Sequence, residues 1–256
     1  MNKIFKSLYV GLVYVFLYLP LAVMAVYSFN ASKYSLSWKG FTFKWYGKLL
    51  ANTTLIDAAL RSLTIAVISA SIACLIGTLA AFMLHQYRFK GRRAVFGSIF
   101  VMMMSPDIVI GISLLVLFMA AGITLGFWTL LMGHVTLCVP FVTATVYSRF
   151  KGFDRTVVEA ARDLGASEYQ VFKKIVVPMA MPGLMAGWLL SFTLSLDDVI
   201  ISFFTTGPTY EVLPLRIYSM VRLGIKPDVN ALSVVMIGIT VVAVVLSRRL
   251  LKERRL

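Results

Sequence analysis

The chain has 256 residues, of which 59% are hydrophobic and only 14% charged, and it carries a formal charge of +14. An ordinary soluble domain is about a quarter charged, so this composition excludes one and makes a lipid bilayer the solvent. The excess of base would point to nucleic acid in a soluble protein, but here it reports which side of a membrane each loop occupies, and no nucleic-acid partner is expected.

Crossing about 30 Å of hydrocarbon takes roughly 20 apolar residues per helix. Six runs qualify, at about 8–28, 62–86, 95–121, 125–148, 183–205 and 231–247. They predict an all-α integral membrane protein with six transmembrane helices, forming a single membrane domain over residues 1–256. The first run follows Lys3 and Lys6 in the manner of a signal peptide. Its apolar stretch is longer than the roughly 7–15 residues of a cleavable core, so it is expected to be retained. With the N-terminus inside, 17 Lys and Arg fall in inner loops and 8 in outer ones. That bias predicts both termini on the cytoplasmic side. Lys33, Lys39, Lys44 and Lys48, all in the first outer segment, run against the trend.

That segment, Asn30 to Asp57, interleaves Trp38, Phe41, Phe43, Trp45 and Tyr46 with lysines, which suits the outer headgroup zone. Trp45 has two readings, a contact for a cation passing nearby or a simple interfacial anchor. The sequons at Asn30 and Asn52 are common chance matches. In the third run Pro106 lacks an N–H and should break or kink the helix, exposing backbone groups. Asp107 beside it is either a carboxylate in a substrate path or an acid that caps a helix start. A short turn near Gly122 to Gly126 predicts a helical hairpin between the third and fourth runs. Cys74 and Cys138 sit singly in apolar runs and read as small hydrophobes, while His85 and His134 read as satisfied polar residues. Neither a disulfide framework nor a metal site is expected.

The loop at 149–182 carries clear helix punctuation. Asp154 can cap a helix to Leu164 that places Val157, Val158, Ala161 and Leu164 near one face, and Gly165 suits the left-handed position past its end. Ser167 and Gln170 form a capping-box pattern opening a second helix, with Pro178 expected to stop it. The prediction is two short helices around a glycine elbow. Glu168 reads either as a contributor to coupling or as a solvated charge at a helix start.

Asp197 and Asp198 lie in the fifth run, where a charge at mid-bilayer costs roughly 2.5–3.5 kcal/mol and marks a water-filled path or a partner. Adjacent residues point about 100° apart on a helix, so one should face the path while the other bonds a neighbour. Ser195 either adds a hydroxyl to the path or bonds back to its own helix. Acids at this depth without Lys or Arg fit a cationic substrate whose ammonium groups take charge-assisted hydrogen bonds. The outer segments, with eight basic and three acidic residues, would repel such a cation unless another protein hands it over. Acids of that protein, or lipid headgroups, are the expected contacts for bases such as Lys33 and Lys39. The chain contains no G-x-x-x-x-G-K-[ST], so ATP hydrolysis, if used, belongs to a separate subunit.

Glu159-Ala160-Ala161, three residues, Gly165, nine residues, Ile175, one residue and Val177-Pro178 resemble the EAA loop of ATP-binding-cassette importer permeases, with Val177 in place of the usual Leu. Met102 to Phe118, Gly126 to Val142, Ser191 to Pro208 and Leu213 to Val221 resemble the C-type permease subunits of spermidine/putrescine importers, in the binding-protein-dependent transport permease family. The resemblance implies a type I importer transmembrane domain in a bacterial inner membrane, its core at about 57–248, and no cofactor. It implies as partners a second homologous permease, an ATPase dimer, a periplasmic polyamine-binding protein and membrane lipid. Glu159, Ala160, Ala161, Gly165, Glu168, Ile175 and Pro178 would form the coupling element. Asp107, Asp197, Asp198, Ser195 and Trp45 would line the substrate path. A permease for another cargo, such as ferric ion or an aminophosphonate, is the nearest alternative. An ion-coupled secondary transporter using the three aspartates as proton relays has no need of the elbow. An intramembrane enzyme is disfavoured because no Ser–His constellation is evident along the chain.

Overall fold

The computed structural model describes residues 3–32, 37–152, 155–222 and 227–253. Among these the chain is helical, with one isolated antiparallel bridge between Asn30 and Phe41. The helices are α1 (Lys3–Tyr27), α2 (Lys44–Ala51), α3 (Thr53–Gln86), α4 (Arg92–Met104), α5 (Asp107–Ala120), α6 (Phe127–Lys151), α7 (Arg155–Asp163), α8 (Glu168–Val171), α9 (Val177–Asp197), α10 (Ile200–Thr205), α11 (Leu213–Arg222) and α12 (Pro227–Glu253). Asp154 and Lys33 lie outside the described residues.

Among the described residues four stretches are long and apolar enough to cross a membrane: Ser7–Tyr27, Thr53–Gln86, Phe127–Lys151 and Glu168–Asp197. A fifth arises if α4 and α5 count as one broken span, bent by 108° between them. The third apolar run is therefore not one continuous helix. Pro106 disfavours helical backbone at the residue before it, and here Ser105 and Pro106 both adopt extended backbone with ψ near 137° and 133°. The fifth run is likewise divided, since α9 ends at Asp197 and α10 starts at Ile200. The described apolar part of the last run, Asp228–Ile239, is shorter than a full span.

Pro178 does not stop the second helix of the loop, contrary to the sequence expectation. Glu168 to Asp197 runs on through a π-helical turn at Phe172–Val176, in which the Val177 N–H bonds the carbonyl of Phe172, five residues back. The wider turn makes room for the proline ring, which would otherwise strike the carbonyl of Lys174, and absorbs the missing donor.

The chain divides into two units, Met1–Asp57 with Arg216–Leu256, and Ala58–Leu215. In the first, α1 is exposed along its apolar length, as a helix in lipid contact would be. The loop after it is organised by Asn30, which is fully buried. Its amide donates to the carbonyl of Ser37 at 2.7 Å, and its side-chain oxygen accepts from the N–H groups of Ser32 at 3.1 Å and Lys39 at 2.9 Å. The Asn30 sequon is thus committed to the fold. Phe29 stacks on Phe41 with centroids 5.0 Å apart, and Phe43 and Tyr46 complete the cluster.

In the second unit, small residues allow close helix approach, which in lipid replaces the hydrophobic drive for association. A Cβ on Gly77 of α3 would sit 2.7 Å from Cβ of Val142 on α6, and one on Gly183 of α9 would sit 2.9 Å from Cβ of Arg149. Around these contacts Ala73, Cys138, Val142, Val146, Phe150 and Ala180 form a buried core. α10 is seated the same way, with Phe204 against Gly111 of α5 and Ile201 and Thr205 against Gly133 of α6.

Candidate functional site

The break between α9 and α10 gathers a cluster of buried polar groups. Asp198 has extended backbone, with ψ 127°, which ends α9 and leaves the first amides of α10 without helical partners. Its carboxylate supplies them, accepting from the N–H of Ile201 at 3.2 Å and of Ser202 at 2.7 Å. A negative charge at a helix N-terminus is also favoured by the helix dipole. From α6, His134 enters the same corner. Its Nδ1 lies 2.6 Å from Oγ of Ser195, and its Nε2 lies 3.0 Å from Oγ of Ser202 and 3.7 Å from Oδ2 of Asp198. Ser69 of α3 donates to Ser195 Oγ at 3.1 Å.

This is the Ser–His–Asp association that the sequence did not show. It is nonetheless poorly suited to nucleophilic chemistry, because Ser195, Ser202 and the His134 ring are all buried, and Ser202 is fully enclosed. A nucleophile needs reach to a bound substrate. The corner is a packed polar joint instead.

The two neighbouring aspartates differ, but not through the helix geometry expected from the sequence, because Asp198 has already left the helix. The Asp198 side chain is 6% exposed and engaged, whereas Asp197, the last residue of α9, is exposed. Ser195 bonds the imidazole rather than an i−4 carbonyl. Asp107 occupies the first turn of α5 just past the break, and its side chain is exposed, with no side-chain cap bond made there. Trp45 belongs to the other unit, where it is buried and its indole N–H donates to the carbonyl of Asn30 at 2.7 Å, with the Lys48 ammonium 4.9 Å from the ring centre.

A second constellation lies at the elbow. α7 ends in a Schellman motif around Gly165, whose φ is +80°. The Gly165 N–H bonds the carbonyl of Arg162 at 2.8 Å, and the Ala166 N–H bonds that of Ala161 at 3.1 Å. Ser167 then caps α8, accepting from the Gln170 N–H at 3.3 Å, while the Gln170 amide oxygen accepts from the Ser167 N–H at 2.9 Å. Across the bend Arg162 and Glu168 form an ion pair, Nη2 donating to Oε2 at 3.0 Å and Nε lying 2.9 Å from Oε1.

The apolar face expected on α7 splits in two. Val158 and Ala161 pack on the core of the unit, as does Val171 of α8. Leu164 is 88% exposed and Tyr169 68% exposed, beside exposed Glu159 and Ala160. Ile175 is half-buried inside the π-helical turn and Pro178 is exposed at the start of α9. Large apolar side chains projecting from a rigid turn are the usual mark of a surface that another protein covers.

Residues 73–254 match the family described as "Binding-protein-dependent transport system inner membrane component". The chain belongs to that family. Among relatives, the spermidine/putrescine transport system permease protein PotC of Escherichia coli K12 is 52% identical over 253 residues, covering 99% of this chain and 96% of that one. PotC of Haemophilus influenzae is 50% identical over 254 residues, covering 99% of both chains. The putrescine transport system permease protein PotI of Escherichia coli K12 is 41% identical, covering 88% of this chain and 83% of its own. A bacterial ABC transporter that imports the acidic polysaccharide alginate shares the fold at a TM-score of 0.75, with 18% identity, covering 98% of this chain and 95% of that one. As a family member the chain is a transport component in the inner membrane.

Proposed function

We propose that the chain is a permease subunit of an ATP-binding-cassette importer that passes polyamines, spermidine or putrescine, across the bacterial inner membrane by ATP-driven alternating access. The observation that carries the reading is full-length similarity, at 50% identity or above, to two proteins named as spermidine/putrescine permeases. The chemistry of the corner agrees with it. Asp198 is committed to the α10 amides, so Asp197 is the carboxylate left for an ammonium group, with Ser195 supporting the corner and Asp107 a further acid along the path. Trp45, held against Asn30, acts at most through the shape of its loop.

In the proposed assembly the chain is a single membrane domain with a type I core at about 57–248. It crosses six times if α4 with α5, and α12, each count as a span, with both termini in the cytoplasm. Its partners are a second homologous permease, two ATPase subunits that hydrolyse the ATP, a periplasmic polyamine-binding protein and lipid. Delivery from a closed binding protein answers the repulsion expected from the basic outer segments. The elbow at 149–182 is the element that the ATPase grips, through Glu159, Ala160 and the exposed Leu164 and Tyr169.

The test is reconstitution of all subunits in vesicles with ATP inside and labelled spermidine outside. Accumulation that requires ATP, the ATPase and the binding protein is expected, and accumulation of another cargo but no polyamine overturns the reading.

The ion pair at the elbow gives a smaller, separable prediction. An exposed pair contributes about 0–1 kcal/mol. Glu168→Arg puts two guanidinium groups across the bend and should lower uptake about two- to fivefold. Adding Arg162→Glu restores the pair in reverse and should recover most of the loss; a double variant no better than the single one removes the pair from the coupling path.

A further inference from the structure

His134 makes contacts on both sides of the broken helix. Ser195 is two residues before the end of α9, and Ser202 is in the first turn of α10. The same ring that touches both comes from α6, a third element, and is 2% exposed. Ser69 donates to Ser195 Oγ, and the two ring nitrogens of His134 each share a hydrogen bond with a serine hydroxyl, Nδ1 with Ser195 and Nε2 with Ser202. Every polar atom of the ring is used, and every bond spans a joint between elements.

We propose that His134 is a positioning residue for transport: it clamps the corner between α9 and α10, and so fixes where the Asp197 carboxylate stands. The corner needs such a clamp. Between Asp197 and Ile200 no helical hydrogen bond crosses, so the angle there is set only by side chains. Asp198 ties the corner to α10 alone, because both its amide partners are in that helix. Ser69 ties only α9 to α3. His134 alone among these groups bonds α9 and α10 together. Asp197 adjoins Asp198 in the chain, so a shift of the corner moves the Asp197 carboxylate directly.

The inference rests on the transport reading, and its test separates the two. His134→Leu, His134→Gln and Ser202→Ala are compared in the complete transporter in vesicles, with membrane levels measured for each. His134→Leu should lower spermidine uptake about tenfold while ATP hydrolysis by the assembled complex persists. Gln can place an amide near the position of Nε2, so His134→Gln should recover uptake to within about threefold of wild type. Ser202→Ala should lower uptake alone, yet add little in the His134→Leu background, because the bond it removes is already gone. Full uptake by His134→Leu, equal failure of Gln and Leu, or additive losses with Ser202→Ala would each overturn the clamp. Absence of uptake in the wild type would instead overturn the cargo assignment. The same cycle is then read from thermal midpoints in detergent, where coupling between His134 and Ser202 is expected without any cargo and additivity refutes it.

Discussion

Gly165→Val is expected to lower uptake more than tenfold and to release the ATPase during purification, while Gly165→Asn keeps both within about threefold of wild type. The glycine stands at φ +80°, where an L-residue pays roughly 1–2 kcal/mol and a β-branched one more, whereas Asn adopts the left-handed region readily. Apart from its chain neighbours, nothing lies within 4 Å of where a Cβ would be, so the cost is conformational rather than a clash with another element. That cost has an outlet. The Val variant can relax only by giving up the Gly165 and Ala166 bonds that close α7, which swings α8, and with it Tyr169, away from Leu164. Gly165 itself lies outside the core of the unit, so insertion should survive, and the packing lost is confined to Ala166 and Val171, which leave that core as α8 swings. The measurement is ATPase co-purification beside vesicle uptake, and a Val variant as active as the Asn variant would show that the elbow has no fixed shape to lose.

The elbow was legible because its determinants are local. A glycine after a periodic helix, and a serine three residues before a glutamine, specify backbone geometry within one turn of themselves. Both motifs form at the expected residues. Pro178 misled for the same reason, since a local rule predicts a stop and the chain answers with five residues of π-helix that keep α8 and α9 continuous. The polar corner was legible only in part. Adjacency alone required Asp197 and Asp198 to diverge, but which one stays exposed depends on the break between α9 and α10. His134 is the satisfied polar residue that the sequence suggests, but its partners were not legible, because they are 61 and 68 residues away along the chain, and Ser69 is 126 residues from Ser195. Trp45 shows the limit of composition. Interleaved aromatics and lysines describe an interfacial segment equally well whether the indole faces lipid or, as here, is pinned to a buried asparagine.

The division between the two aspartates yields the second large effect. Asp197→Asn and Asp198→Asn should both lower spermidine uptake, but with opposite signatures in stability. In the proposed path, removing the Asp197 charge deprives an ammonium group of a charge-assisted bond worth about 1.5–3 kcal/mol, which corresponds to an expected loss of roughly ten- to a hundredfold. The side chain is exposed, so the thermal midpoint of the variant should stay within about 2 °C of wild type. Asp198 instead serves two amides at the start of α10 beside His134, and a helix cap contributes about 0.5–2 kcal/mol to stability. An amide there has one oxygen for two donors and turns an N–H₂ toward the corner. Its variant should melt several degrees lower, and uptake should fall because the corner loosens. Lengthening sharpens the contrast. Asp197→Glu keeps a carboxylate where a flexible cation can still reach it and should recover part of the uptake. Asp198→Glu overshoots the two N–H groups and should recover none. Equal midpoints for Asp197→Asn and Asp198→Asn would refute the division of labour, and undiminished uptake in Asp197→Asn would remove its carboxylate from the path of the cation.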